Sequence, residues 1–149
     1  MTQLTQSADS AATEKFGERL GHNLRGGEII ELISDLGGGK TTLTRGIARG
    51  AGSKNVVGSP TFTLSKVYTA PAFNIYHYDF YRLQAAGLME YELADIISDP
   101  KAVLIIEWGE VVQHVLPARR LTITIRKLSD GSRQLDCSYP EDLSYLLAL

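Results

Sequence analysis

The residues best suited to chemistry lie in a glycine-rich segment from Ser34 to Thr41, with the sequence Ser-Asp-Leu-Gly-Gly-Gly-Lys-Thr. Glycines allow successive backbone N–H groups to converge on phosphate oxygens, because no Cβ stands in the way. In such a loop Lys40 reaches the β- and γ-phosphates of a nucleoside triphosphate, and the Thr41 hydroxyl binds Mg²⁺. The segment therefore predicts a phosphate loop with these central residues: Gly37, Gly38, Gly39, Lys40 and Thr41.

One position departs from the usual phosphate-loop pattern G-x-x-x-x-G-K-[ST], because Ser34 stands where the first glycine is expected. Gly37 and Gly38 supply flexibility inside the segment, so we expect the departure to weaken the match only slightly. The alternative is a glycine-rich turn that leads into a helix and binds no ligand. The position of the segment, between a buried strand and a helix, favours the phosphate loop.

Two acidic residues are candidates for completing a magnesium site. Glu107 follows the apolar run Val103–Ile106, and P-loop proteins hold Mg²⁺ with a carboxylate at the end of a buried strand. Asp79 ends the shorter run 74–78 and is the second candidate, as a metal ligand or as a base that orients water. The alternatives are a solvated acid at Glu107 and an ion pair between Asp79 and Arg82.

Other candidate residues have weaker signals. Trp108 directly follows Glu107. Three roles are open for it: packing in the interior, gating the site or facing a partner. Thr61 is a candidate for ordering a switch loop around the triphosphate, by analogy with GTPases, and an ordinary proline turn is the alternative. The three histidines lack metal-ligand spacing, and we interpret them as non-catalytic: His22, His77 and His114.

The sequence also bears on the nucleotide and on its hydrolysis. It contains no Asn-Lys-x-Asp or Thr-Lys-x-Asp motif for guanine recognition, which favours ATP over GTP. No arginine is obviously placed as a finger within the chain. We therefore expect slow intrinsic hydrolysis that a partner raises.

The elements that must position these residues follow from the hydrophobic pattern. Apolar residues at helical spacing begin at Ser10, which we predict to be the N-cap of the first helix, and Gly52 is predicted to end the second helix. The pattern predicts helices over 10–24, 40–51, 88–97 and 141–149, and strands over 28–33, 63–68, 73–81, 102–106, 121–126 and 134–139. These elements predict a single α/β domain over residues 1–149, with a P-loop NTPase-like three-layer fold. Its mixed sheet has a parallel centre and antiparallel edge strands.

Composition limits the function classes. The chain has 149 residues, of which 44% are hydrophobic and 21% charged, as in an ordinary soluble globular protein. A net charge of -2 argues against a direct grip on RNA, so any nucleic acid is expected to be held by another protein. Cys137 is the single cysteine and is expected to be a packed or surface thiol without a special role. No signal peptide or membrane-length apolar run is found, and a cytoplasmic protein without membrane contact is expected.

Taken together, four segments resemble the bacterial TsaE (YjeE) family. They occur in the family's order within the stretch from about Thr13 to Arg133. The segments are Asp35-Leu-Gly-Gly-Gly-Lys-Thr-Thr-Leu-Thr-Arg-Gly46, Ser59-Pro-Thr-Phe-Thr-Leu64, His77-Tyr-Asp-Phe-Tyr-Arg-Leu83 and Ile105-Ile-Glu-Trp-Gly-Glu110. The resemblance implies a small P-loop ATPase that uses ATP and Mg²⁺ and assists threonylcarbamoyladenosine formation on tRNA. It also implies binding to the two-subunit TsaB–TsaD transferase, contact with tRNA through that complex, and hydrolysis that resets the complex. Self-association is left open.

The resemblance also assigns roles by position. It implies that residues 37–42, including Thr42, hold the phosphates, and that Thr41 and Glu107 lie at Mg²⁺. Asp79 and Trp108 match residues that the family needs for activity. Three further residues are implied to contact the nucleotide: Ser10, Thr13 and Arg133. The family usually has Gly at position 34 and Ala at position 38, where this chain has Ser34 and Gly38.

Two alternatives to a partner-dependent ATPase stay open at this point. A small-molecule kinase would use the same loop, but kinases usually carry an arginine-rich lid. Arg119-Arg120 is the only adjacent arginine pair in the sequence, and it begins a strand. A non-catalytic module whose nucleotide state controls assembly would keep its partner binding after Glu107→Ala.

Overall fold

A seven-stranded sheet forms the centre of the computed structural model, which describes residues 1–35, 37–58, 60 and 64–148. Its strands are β1 (Thr2–Ser7), β2 (Ile29–Ile33), β3 (Ser65–Thr69), β4 (Asn74–Asp79), β5 (Ala102–Glu107), β6 (Leu121–Lys127) and β7 (Arg133–Ser138). The strand order is β1-β7-β6-β2-β5-β4-β3. Strands β6, β2, β5 and β4 are parallel, whereas β3, β7 and β1 pair antiparallel at the two edges. The predicted mixed sheet is therefore confirmed.

Helices cover both faces of this sheet. They are α1 (Ser10–Asn23), α2 (Lys40–Gly50) and α3 (Met89–Ile97), with 3₁₀ helices at Gly109–Val112 and Glu141–Leu147. Alternate residues of a strand point to opposite faces, so Ile105 packs in a cluster with α1 and α2, whereas Leu104 packs in a cluster with α3. The result is the predicted three-layer arrangement.

The two helices on one face are in backbone contact. A Cβ added at Gly46 of α2 would lie 2.1 Å from the carbonyl oxygen of Glu14 in α1. A Cβ added at Gly21 of α1 would lie 2.0 Å from the carbonyl oxygen of Ile47 in α2. Because only glycine fits at this distance, α2 is fixed closely against α1, and Lys40 in its first turn is fixed with it.

Several helix ends agree with the sequence pattern, and one prediction was wrong. Gly52 follows α2 with φ of +91°, and the N–H of Ser53 donates to the carbonyl oxygen of Ala48, as at a glycine-terminated helix. Ser10 was predicted as the N-cap of α1, but Asp9 is the N-cap. Its carboxylate accepts a hydrogen bond from the N–H of Ala12 at 2.8 Å. Aspartate and serine are comparable N-caps, so local preference alone did not decide between neighbours.

Two other elements differ from the prediction. The pattern did not predict β1, whose polar residues are ordered by pairing with β7. The segment Glu141–Leu147 was predicted as part of a helix and is a 3₁₀ helix. Within the described part of the chain, every helix is too short or too polar to cross a bilayer.

Candidate nucleotide-binding site

The carboxyl ends of β4 and β5 and the N-terminus of α2 border a cavity of about 380 Å³. Ligands of open α/β sheets bind at such strand ends. The structure thus brings the central predicted site residues around one space. The lining residues are Gly37, Gly38, Gly39, Lys40, Thr41, Thr42, Asp79, Glu107 and Trp108.

The loop before α2 has the backbone of an anion-binding segment. Gly37 and Gly39 have φ of +75° and +104°, which side-chain-bearing residues rarely adopt. Gly39 is the N-cap of α2, and no side-chain hydrogen bond from the described residues caps this helix. The first N–H groups of a helix have no partner within the helix, and they carry its positive dipole end. This end of α2 is therefore suited to bind phosphate oxygens.

Lys40 lies against the acid of the site. Its Nζ is 3.8 Å from Oε1 of Glu107, donates to the carbonyl oxygen of Ser34 at 3.2 Å, and lies 4.3 Å from the ring centroid of Trp108. The exposed fractions of Lys40 and Glu107 are 6% and 3%. Buried charges are tolerated when they are paired, so the ammonium of Lys40 here balances the carboxylate of Glu107.

The two candidate acids end adjacent parallel strands. Asp79 and Glu107 are register partners of β4 and β5. Glu107 is buried, whereas Asp79 is half-buried and its Oδ1 accepts the N–H of Tyr81 at 3.0 Å. Their position at the same edge of the sheet gives the cavity two carboxylates, one enclosed and one more open to water.

Trp108 has an unusual backbone. Its φ is 56°, and it is the one residue other than glycine with positive φ in the described part of the chain. Such a conformation costs about 1–3 kcal/mol and is concentrated at functional sites. It turns the chain from β5 into the 3₁₀ helix Gly109–Val112, and it places the indole 5.0 Å from the ring of Tyr81. The indole therefore lies on the ammonium of Lys40 at the border of the cavity.

His77 contacts the acid of the site, a contact that the sequence analysis did not predict; its interpretation as non-catalytic stays a prediction. Its Nε2 lies 2.5 Å from Oε2 of Glu107, and its Nδ1 lies 3.0 Å from the hydroxyl of Tyr68. The signal was its spacing, since His77 is two residues after the buried Ile75 on the same strand face. A buried imidazole needs hydrogen-bond partners, so this spacing predicts a polar contact.

Ser34 and Gly38, which depart from the pattern that the resemblance implies, lie side by side in the loop. A Cβ added at Gly38 would lie 2.4 Å from Oγ and 2.8 Å from Cβ of Ser34. The side chain of Ser34 thus occupies the space that an alanine at position 38 would need. With Ser34 in place, glycine is therefore the residue that fits at position 38.

The side chain of Arg133 contacts the backbone of the loop. Its Nε donates to the carbonyl oxygen of Gly38 at 3.2 Å, and its Nη1 donates to the carbonyl oxygen of Gly131 at 2.9 Å. This contact connects the antiparallel pair of strands β6 and β7 to the phosphate loop. A contact of Arg133 with the nucleotide itself stays a prediction.

The remaining predicted positions lie elsewhere. Ser10 is exposed at the start of α1, and Thr13 is buried with its hydroxyl 2.6 Å from that of Ser7. Among the described residues that line the cavity, neither is present, so their nucleotide contact stays a prediction. Thr61, the candidate for a switch loop, lies outside the described residues.

The sequence of this chain is similar to a protein family and to several named proteins. The profile of a family described as "Threonylcarbamoyl adenosine biosynthesis protein TsaE" matches residues 7–135. Proteins named tRNA threonylcarbamoyladenosine biosynthesis protein TsaE are similar over most of the chain. The relative from Bacillus subtilis is 38% identical over 73% of this chain and 68% of its own length. That from Treponema pallidum is 37% identical over 87% and 95%, respectively.

A solved structure agrees with these sequence relatives. A crystal structure of YdiB from Bacillus subtilis is similar with a TM-score of 0.80 and 28% sequence identity. The similarity covers 98% of this chain and 91% of that chain. Nearly all of the described architecture is thus shared with a known protein.

Proposed function

Since this chain belongs to the TsaE family, we propose that it is an ATPase subunit that supports formation of threonylcarbamoyladenosine on tRNA. The family and the P-loop fold predicted from the sequence are both confirmed. The observation that supports ATP chemistry is the meeting of Lys40, at the N-terminus of α2, with Glu107, at the end of β5, in one cavity.

We propose that the triphosphate binds to the loop N–H groups and draws Lys40 away from Glu107. Phosphate oxygens carry more negative charge than one carboxylate, so the ammonium is stabilised by the exchange. Glu107 would then be a buried carboxylate without its cation, which is unfavourable. Thr41 and Glu107 line the same cavity, and their side-chain oxygens are of the kind that Mg²⁺ prefers. When bound, Mg²⁺ would neutralise charge on the phosphates.

The half-buried Asp79 is proposed to orient the attacking water, because it lies beside Glu107 and is more open to solvent. Among the described residues that line the cavity, Lys40 is the one cationic side chain. Hydrolysis is therefore proposed to be slow in the isolated chain and to be raised by the TsaB–TsaD transferase complex. The net charge of -2 supports contact with tRNA through that complex rather than directly.

The experiment is ATP turnover by the wild type and by Lys40→Ala, each with and without the TsaB–TsaD complex and tRNA. We expect slow turnover of the wild type alone and a rise on the order of tenfold or more with the complex. Lys40→Ala should show no turnover in either condition. Turnover of the wild type that stays unchanged with the complex and tRNA present would contradict the proposal.

Glu107→Ala separates hydrolysis from nucleotide-controlled assembly. Under the proposed function this variant binds the complex but does not support repeated modification of tRNA. If modification proceeded at the wild-type rate, the chain would be a binding module rather than an ATPase.

A further inference from the structure

We propose that His77 and Tyr68 are positioning residues, which hold the carboxylate of Glu107 in the orientation that binds Mg²⁺ and connect it to the backbone at Gly58. The inference rests on the proposed Mg²⁺–ATP site and adds two residues to it. Neither of these side chains lines the cavity among its described residues. They act through Glu107, so they are not catalytic residues.

Three adjacent strands contribute to a continuous hydrogen-bonded chain. Tyr68 is on β3, His77 on β4 and Glu107 on β5. The hydroxyl of Tyr68 donates to the carbonyl oxygen of Gly58 at 3.0 Å and lies 3.0 Å from Nδ1 of His77. Nε2 of His77 lies 2.5 Å from Oε2 of Glu107. The exposed fractions are 1% for Tyr68 and 0% for His77, so water does not compete for these bonds.

The hydrogen-bonded series from Tyr68 to Glu107 leaves the two carboxylate oxygens of Glu107 with different contacts. Oε2 of Glu107 is bound to His77, whereas Oε1 is the oxygen 3.8 Å from Lys40 on the cavity side. Anchoring one oxygen fixes the torsion angles of the side chain and leaves the other directed at the cavity. Groups that orient a metal ligand in this way are typically worth about 10- to 100-fold in metal affinity.

At the Tyr68 end, the hydrogen-bonded series is anchored to the backbone of Gly58. Burial raises the pKa of the Tyr68 phenol, and this outweighs the opposite effect of its contact with the backbone at Gly58, so the hydroxyl keeps its proton. It therefore remains a donor to the carbonyl oxygen of Gly58. A change in backbone position at Gly58 would shift Tyr68, then His77 and then the carboxylate.

Conservative variants at position 77 separate positioning from simple packing. In His77→Gln the amide nitrogen lies near the former Nε2 and can donate to Glu107. In His77→Asn the side-chain amide nitrogen lies near the former Nδ1, so it can reach Tyr68 but not Glu107. The readout is the affinity for a fluorescent ADP analogue with Mg²⁺ and with EDTA. The ratio of the two affinities measures the contribution of Mg²⁺.

We expect His77→Asn to reduce this ratio by about tenfold, while His77→Gln keeps most of it. Affinity in EDTA should be unchanged in both, because the loop N–H groups are intact. Tyr68→Phe should reduce the ratio by a smaller factor, and it should have no further effect in the His77→Asn background. Tyr78→Phe is the matched control, because its buried hydroxyl donates to Glu92 on the other face of the sheet.

The outcomes distinguish this inference from the proposed function. Equal ratios for His77→Asn, His77→Gln and the wild type would overturn the positioning role. So would a ratio for Tyr68→Phe equal to that for Tyr78→Phe, a comparison that uses near-isosteric variants and does not depend on the folding of the His77 variants. If Mg²⁺ had no effect on nucleotide affinity in the wild type, both the proposed metal site and the positioning role would be wrong.

Discussion

At the scale of single residues, the phosphate loop depends on a steric fit between Ser34 and Gly38. Gly38 is outside the positive-φ region, so its backbone accepts alanine, but the added Cβ would lie 2.8 Å from Cβ of Ser34. We expect Gly38→Ala to lower the free energy of unfolding by about 1–3 kcal/mol through overpacking. Ser34→Gly combined with Gly38→Ala should recover part of this loss, because the contact of the Cβ with the carbonyl oxygen of Asp35 at 3.0 Å remains. Thermal unfolding and nucleotide affinity of these two variants and of Ser34→Gly measure the coupling.

Ser34→Gly alone is the control for this pair, and it should change stability much less than Gly38→Ala. Equal stability of Gly38→Ala in the two backgrounds would show that the residues are independent.

The placement of site residues was predictable where it follows from local sequence. Lys40, Thr41 and Glu107 were predicted to lie together because a glycine-rich segment and an apolar run ending in an acid are short patterns, and all three line the cavity. His77 was not, because its contact with Glu107 depends on the register of β4 and β5. Such pairing joins residues that are far apart in the chain. The strained backbone of Trp108 was also beyond prediction, since no local preference favours it.

At the scale of elements, α1 and α2 require glycines where they cross. Gly46→Ala gains about 1 kcal/mol of helix propensity, but its Cβ would overlap the carbonyl oxygen of Glu14 at 2.1 Å. Backbone atoms cannot move aside cheaply, so we expect a net loss on the order of 2 kcal/mol or more in urea unfolding. A shifted α2 should also weaken nucleotide binding, since Lys40 begins this helix.

Gly58→Ala is the control for Gly46→Ala at a position outside the helices. Its Cβ would meet the flexible end of Lys66 at 3.3 Å rather than backbone. It should change stability by less than about 0.5 kcal/mol. Equal destabilisation by the two substitutions would mean that close helix contact is not the cause.

Strands with a clear pattern of apolar residues were predicted, and strands without one were not. Strand β2 is apolar except for Glu31, β5 is apolar up to its final Glu107, and β6 alternates strictly, so each was predicted near its observed place. Strand β1 has the polar sequence Thr-Gln-Leu-Thr-Gln-Ser and is stabilised by pairing with β7, which no local pattern reveals.

At the scale of the whole molecule, Cys137 reports on global unfolding. Its thiol is fully buried on β7, between β1 and β6, and burial raises its pKa to about 12. The folded thiol stays protonated at pH 8, whereas an exposed thiol with a pKa of about 8.5 is partly thiolate. We expect iodoacetamide to label the protein only above the urea midpoint measured by circular dichroism. Rapid labelling without urea would mean that this edge of the sheet opens locally.

The central claim is that a triphosphate occupies the cavity and takes Lys40 from Glu107 and Trp108. Trp108 is the only tryptophan in the chain, and its ring centroid lies 4.3 Å from Nζ of Lys40, so its fluorescence reports this movement directly. We predict a saturable change in emission when ATP and Mg²⁺ are added to the wild type. Lys40→Ala has no ammonium to move from Trp108, so its affinity is measured by displacement of a fluorescent ADP analogue; it should be about 10- to 100-fold weaker, because a charged hydrogen bond to phosphate is lost. No saturable change in the wild type, or an unchanged affinity in Lys40→Ala, would contradict the account.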